Sequence, residues 1–280
     1  MRMVYQTTIS LLFILSCTSI PRQKNSSVST SDTKQAIIFD LNLLIKENQM
    51  GFAKKIGYGT LANYTLTHWK HPGYRCLDML AAMSKHESQK PHVTLPLQSR
   101  IMPRCIVELQ EGKKNCADTK KEVLDCAEIL DNQKFFGSAK EKNLMLSIMN
   151  VVLDPDAVAS IIEPIKQMTQ LIQKLKNAGH KVYFSASTPQ ELYEKSHNKF
   201  PDFMQLFDGV SISAQAKAVK TDELFYTHLL NTHNLDPQQC ILVDDIEESA
   251  AVAKKLGMQT VVCDKACHVT KQLKKYGIRV

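Results

Sequence analysis

Five short apolar runs, rich in β-branched and aromatic residues, punctuate the chain, and polar residues follow each of them. Ala36-Ile37-Ile38-Phe39 ends at Asp40, and Lys181-Val182-Tyr183-Phe184 ends at Ser185-Ala186-Ser187-Thr188. Gly209-Val210-Ser211-Ile212 leads toward Lys220, Cys240-Ile241-Leu242-Val243 ends at Asp244-Asp245, and Thr260-Val261-Val262-Cys263 ends at Asp264. Runs with little polar alternation predict strands buried on both faces, the pattern of a parallel sheet. Helical periods lie between them. Residues 164–178 place Ile165, Met168, Leu171, Ile172 and Leu175 on one face, with Gly179 as a C-terminal stop. Thr188-Pro189-Gln190-Glu191 reads as a capping box with proline at the first helical position. Residues 247–256 read as a short helix closed by Gly257. The alternation predicts an α/β fold with a doubly wound parallel sheet, whose ligands bind at the carboxyl ends of the strands.

One connection breaks the rhythm. About 140 residues separate Asp40 from Ser185, far more than a crossover needs. Apolar stripes at 61–66, 76–83, 123–130 and 144–152 predict an inserted all-helical domain, with Pro91, Pro96 and Pro103 punctuating its middle. The expected organisation is an N-terminal segment over 1–34, an α/β core formed by 35–45 and 157–280, and a helical domain over 46–156.

Composition adds little to this. At 280 residues with 44% hydrophobic and 22% charged side chains, the chain has room for one large core, or for one core and a smaller one. The formal charge of +7 comes from 35 basic and 28 acidic residues that read as interspersed. Short basic clusters such as Lys113-Lys114 and Lys120-Lys121 have acids nearby, so the charge reads as solubilising and no nucleic-acid groove is indicated. Arg2 precedes an apolar run over 9–15, too short to span a bilayer as a helix but suited to a secretory signal. Ile14-Leu15-Ser16-Cys17 resembles a bacterial lipobox, which would make Cys17 a lipid anchor, and 26–33 would be a flexible tether. A cytoplasmic chain with a mildly apolar N-terminus fits equally well, so export and cytoplasmic residence both stay open.

The cysteines do not choose between them. Without Cys17, seven remain, so at least one is unpaired. Cys240 and Cys263 read as buried thiols, while Cys105, Cys116 and Cys126 share one helical-looking region and could pair after export. Cys263, Cys267 and His268 form at most a weak metal motif, with no second cysteine pair to complete it. Trp69 with His68 and His71 reads as cap packing in preference to a pocket lining.

The chemistry gathers at the strand ends. Asp40, at the mouth of a buried strand, can ligate Mg²⁺ through one oxygen and attack phosphorus through the other. Asp244 and Asp245 offer further hard-cation ligands. Lys220 and the hydroxyls of Ser185, Ser187 or Thr188 suit the oxygens of a phosphate ester, as do the N–H groups of the helix start after Thr188.

These segments resemble the four motifs of the haloacid dehalogenase superfamily. Ile38-Phe39-Asp40-Leu41-Asn42-Leu43-Leu44 is similar to the first, usually hhhDxDG(T/V), and 179–189 to the second. Lys220-Thr221-Asp222-Glu223-Leu224-Phe225-Tyr226 is similar to the third, and Leu235-Asp236-Pro237 with Ile241-Leu242-Val243-Asp244-Asp245 to the fourth. The resemblance covers about 36–45 and 160–265 and makes the helical insertion the family's C1-type cap. It implies that Asp40 is the nucleophile, forming an aspartyl intermediate. It implies a Mg²⁺ site made by Asp40, Asp244, Asp245 and the backbone carbonyl of Asn42. Lys220 would balance the charge of nucleophile and phosphate.

Three departures accompany the resemblance. The family's second Asp, its general acid/base, is Asn42, and an amide cannot shuttle a proton at neutral pH. The usual Gly and Thr/Val are Leu43 and Leu44. The second-motif hydroxyl falls at Ala186, flanked by Ser185 and Ser187. The expected function is a Mg²⁺-dependent phosphohydrolase acting on a small phosphorylated metabolite and weakened at position 42. The alternatives are a binding module for metal or phosphorylated ligand, and an enzyme cleaving carbon–phosphorus or carbon–halogen bonds, for which no Lys or Arg is assignable.

Overall fold

A computed structural model describes residues 34–67, 72–85, 102–263 and 265–278. The apolar N-terminal run, the lipobox-like stretch, Trp69 with its neighbouring histidines, and Asp264 lie outside the described residues. The strands are β1 Ala36–Asp40, β2 Ile45–Glu47, β3 Ile162–Pro164, β4 Lys181–Ala186, β5 Gly209–Ile212, β6 Cys240–Asp244 and β7 Gln259–Val262. Five of them form a parallel sheet in the order β5-β4-β1-β6-β7, and β2 pairs with β3 where the chain leaves and re-enters the core. The path starts at β1, winds outward to β4 and β5, then returns to build β6 and β7 on the other side. That reversal puts the topological switch point at β1 and β6, where such sheets open a crevice at their carboxyl edge. The doubly wound parallel sheet is the one the apolar runs predict.

Two compact units divide the described chain: one of 47–162 with 188–196, the other of 34–46, 163–187 and 197–278. The first is helical: α1 Gln49–Ile56, α2 Tyr58–Thr67, α3 Pro72–Ser84, α4 Arg104–Gln110, α5 Cys116–Asn132, α6 Ala139–Val152 and α7 Pro155–Ile161. Its core includes Leu80, Leu109, Val123, Leu144 and Ile148, all nearly or fully buried. Cys105 and Cys116 sit on separate helices, because Gly112 at φ +64° turns the chain between α4 and α5; every described cysteine is a free thiol. No described helix is by itself long and apolar enough to cross a membrane.

The second unit carries the large sheet and α8 Lys166–Asn177, α10 Pro201–Met204, α11 Ser213–Ala216, α12 Glu223–His233, α13 Glu247–Lys255 and α14 Ala266–Lys274, with α9 Gln190–Lys199 running between the units' segments. Ile37, Ile38, Phe39, Val182, Phe184, Ile241, Leu242 and Val243 are completely buried, each contributing roughly 1.5–3 kcal/mol by leaving water. On one face Ala36, Ile38, Tyr183 and Leu242 pack with Phe225, Tyr226 and Leu229 of α12 and Ala253 of α13. Both predicted glycine stops are observed: Gly179 at φ +87° lets His180 N–H reach Leu175 O, and Gly257 at φ +97° lets Met258 N–H reach Ala253 O.

Two local expectations are corrected. The helix expected over 164–178 begins only at Lys166, since Pro164 belongs to β3 and the N–H of Ile165 is held by Leu44 O at 2.8 Å. Helix α9 begins at Pro189-Gln190, as Tyr193 N–H bonding to Pro189 O shows, but Glu191 does not close a capping box. Its carboxylate accepts the N–H of Cys116 at the start of α5, 2.7 Å away, a donor 75 residues distant in sequence.

Candidate active site

Register assembles the site. Asp40 is the last residue of β1, with Ser185 of β4 opposite it and Ser211 of β5 opposite Ser185. Phe39 pairs with Val243, so one further step brings Asp40 level with Asp244. In-register residues of parallel strands point to the same face. Asp40, Asp244, Ser185 and Ser211 therefore form a polar row along the carboxyl edge, on the face whose apolar cluster includes Ile38 and Leu242.

Each carboxylate is fixed locally. The chain turns after Asp40 into a 3₁₀ turn, Leu41–Leu43, and Asn42 N–H donates to Asp40 Oδ2 at 2.9 Å. Asp244 opens the turn into α13 by accepting Ile246 N–H at 2.9 Å. Leu43 and Leu44, standing where the resemblance expects Gly and Thr or Val, are buried core residues. They enlarge the packing beneath the turn without displacing Asp40.

Lys220 comes from the loop between α11 and α12 and is 1% exposed. Its ammonium bridges Asp40 Oδ1 and Asp244 Oδ2, the latter at 2.6 Å. Burial favours the neutral forms, and it drives the Asp40 shift. Together with the Asp244 charge it raises the Asp40 carboxyl to about 6, against the pull of Lys220 and the Asn42 N–H. On Lys220 burial pulls the other way, but Asp244 and Asp40 outweigh it and hold the ammonium charged well beyond its usual range.

Asp245, half-buried, completes a group of three carboxylates whose ligand oxygens lie within 4.8 Å of one another. Such an all-oxygen donor set fits a hard divalent cation. The charges agree: three carboxylates face one ammonium, and a divalent ion would balance the excess. Among the described residues no Cys/His group of this kind occurs, so Cys263, Cys267 and His268 do not assemble a metal site.

The hydroxyls complete the picture. Ser185 and Ser187 are buried, and their Oγ atoms lack a hydrogen-bond partner among the described residues, as does Ser211 Oγ. Ala186 ends β4 between the two serines. Sequence reading did not single out Ser211 or Tyr226. The former joins the row only through sheet order. The latter is fully buried in α12, and its phenol is pushed far up by burial and the nearby Asp244. Its signal was present, six residues after Lys220 in the third motif-like stretch.

Comparison with known proteins follows this geometry. The family model described as haloacid dehalogenase-like hydrolase matches residues 109–263, more than half of the chain. A sesquiterpene phosphatase, astK of Aspergillus oryzae, is 31% identical over 97 residues, which cover 35% of this chain and 49% of that protein. The chain thus spans about half the length of that curated relative. Among solved structures, a HAD-family enzyme of Bacteroides thetaiotaomicron aligns over 82% of this chain and 92% of its own, at 15% identity and a TM-score of 0.49. A HAD-like family hydrolase of Porphyromonas gingivalis aligns over 86% and 98%, at 16% identity and a TM-score of 0.47.

Proposed function

The chain belongs to the haloacid dehalogenase-like hydrolase family, and from that premise we propose that it is a Mg²⁺-dependent phosphohydrolase acting on a small phosphorylated molecule. The observation that carries the reading is Lys220 bridging Asp40 and Asp244, with Asp245 beside them and partnerless serine hydroxyls at the same strand ends. Similarity to a protein named as a phosphatase supports a phosphoric ester over a carbon–halogen bond.

In this reading Asp40 attacks phosphorus, the bond to the ester oxygen breaks, and the electron pair leaves with that oxygen. A water molecule then attacks the aspartyl phosphate, releasing inorganic phosphate and restoring the carboxylate. Lys220 keeps Asp40 ionised and offsets negative charge as phosphate arrives. Ser185 and Ser187 are the hydroxyls proposed to meet phosphate oxygens. Held by Asp40, Asp244, Asp245 and the Asn42 carbonyl, Mg²⁺ would neutralise phosphate charge and align it for attack. Asn42 supplies no proton to the leaving oxygen, so esters with good leaving groups are favoured. The helical insertion takes the part of the family's cap and would set substrate choice.

The test compares aryl with alkyl phosphates in the presence and absence of Mg²⁺. Metal-dependent turnover of aryl esters well above alkyl esters is expected, and equal rates on both would contradict the role given to Asn42. Asn42 also favours a second reading, a module that binds metal and phosphorylated ligand without turnover. Magnesium binding with no hydrolysis of either class would select it.

A further inference from the structure

The positive charge is less evenly spread than its interspersed sequence suggests. Residues 249–280 hold seven basic side chains and one acid, Asp264. Helix α14 carries Lys271 and Lys274, with Lys265 and Lys275 at its ends, and contains no acid. It packs against α8, which carries Lys166, Lys174 and Lys176 and again no acid. Burial separates the two sides of this pair. Val269 and Leu273 of α14 and Met168, Leu171, Ile172 and Leu175 of α8 are buried, while Lys166, Lys174, Lys265, Lys271, Lys274 and Lys275 are exposed. Nearby acids are already engaged: Glu163 with Lys46 at 3.1 Å, and Asp208 with Lys176 at 3.1 Å and Lys181 at 3.5 Å. None of the six exposed lysines makes an ion pair among the described residues.

A second observation concerns the incoming chain. Lys34 lies against Gly179, immediately beyond α8, its Cε 3.0 Å from where a β-carbon would stand. Gln35 N–H donates to His180 Nδ1 at 3.2 Å. The N-terminal residues, with their apolar run over 9–15, are therefore joined to the core beside the end of α8. We propose that the α8–α14 face lies against an anionic phospholipid surface, held there by its lysines, with the apolar run entering the same surface. An anionic leaflet attracts clustered lysines at short range, and an apolar segment next to them adds a second anchor. The lysine-only composition, without an arginine fork or exposed aromatic on either helix, suits a diffuse headgroup layer better than base recognition.

The test uses the full chain in a sedimentation assay with vesicles of phosphatidylcholine alone and vesicles containing phosphatidylglycerol. Partitioning is expected to be at least about tenfold stronger onto the anionic vesicles at ~0.1 M salt, and to lose that advantage as the Debye length shortens near 0.5 M. Binding common to both vesicle types reports the apolar run. The charge-reversed variant K174E/K271E/K274E should lose the anionic preference, keep its binding to neutral vesicles and unfold at the wild-type temperature. Should that variant not fold, the salt titration of the wild-type chain decides. Equal wild-type binding to both vesicle types would overturn the proposal, as would a folded variant that keeps the preference. Stronger wild-type binding to duplex nucleic acid than to anionic vesicles would also overturn it.

Discussion

Two buried charge clusters, one in each unit, are built from the same chemistry and finished differently. In the helical unit Arg75 donates to Glu141 at 2.5 Å and to the Phe135 carbonyl at 3.4 Å, and meets Asp78 at 3.5 Å. Its guanidinium lies 4.8 Å over the Phe135 ring, and the other Glu141 oxygen accepts Gly137 N–H at 2.7 Å. The cluster ties α3, α6 and the turn at 135–137 together. In the sheet unit one ammonium faces three carboxylates, and neighbouring serine hydroxyls lack partners among the described residues. A buried cluster that closes its hydrogen bonds holds a fold together. One left with surplus negative charge and open hydroxyls is suited to a cation and an anion brought from outside.

The sharpest way to break the comparison is to remove one carboxylate from each cluster. Asp40→Asn should lower phosphate-ester turnover by at least about a thousandfold, since nucleophile and ligand are lost together. It should leave the unfolding temperature unchanged or higher, because one of several crowded like charges is gone. Glu141→Gln should do the reverse, costing about 3–5 kcal/mol in urea unfolding while turnover per folded molecule stays at wild type. Similar stability losses in both variants would erase the distinction.

Lys220→Met tests whether the bridge serves both purposes. It leaves Asp40 and Asp244 facing each other without a counter-charge, so we expect about 3–5 kcal/mol of destabilisation together with loss of turnover. A stable, active Lys220→Met chain would show that the bridge serves neither.

The sheet unit was the more legible of the two in the sequence. Strands β1, β4 and β6 announce themselves because burial on both faces removes polar alternation, and Gly179 and Gly257 mark helix ends because only glycine takes those backbone angles without strain. Asp40, Lys220 and Asp244 were legible as strand-end and motif chemistry. Sheet order was not, because it depends on pairings between distant segments; hence Ser211 went unseen although it stands opposite Ser185. The destination of Glu191 was hidden for the same reason: a local capping pattern lost its acid to the end of α5. The gathering of lysines along α8 and α14 needed the packing of helices almost 100 residues apart.

Smaller effects refine the account. Asn42→Asp restores a group able to pass a proton to the leaving oxygen, and should raise alkyl-phosphate turnover at least about tenfold, with less gain for aryl esters. No gain for either class, with Mg²⁺ still bound, would favour the binding module. Asp208 supplies the smallest test. Burial alone would raise its carboxyl, but the Val182 N–H and the ammoniums of Lys176 and Lys181 hold it below the usual range. Its contribution to stability is therefore present above the unfolded carboxylate's pKa and is lost as pH falls through the lowered folded value. Asp208→Asn should cost about 1 kcal/mol or less at neutral pH, because the site is largely exposed, and should flatten the acid limb of the stability curve.

The central claim is that phosphorus is transferred to Asp40. The direct measurement is rapid acid quenching during turnover of an aryl phosphate with Mg²⁺, borohydride reduction, and mass analysis of the peptide containing residue 40. The account predicts conversion of Asp40, and of no other carboxylate, to homoserine, absent when Mg²⁺ is withheld. Steady hydrolysis with Asp40 unmodified, or with label on Asp244 or Asp245, would contradict it.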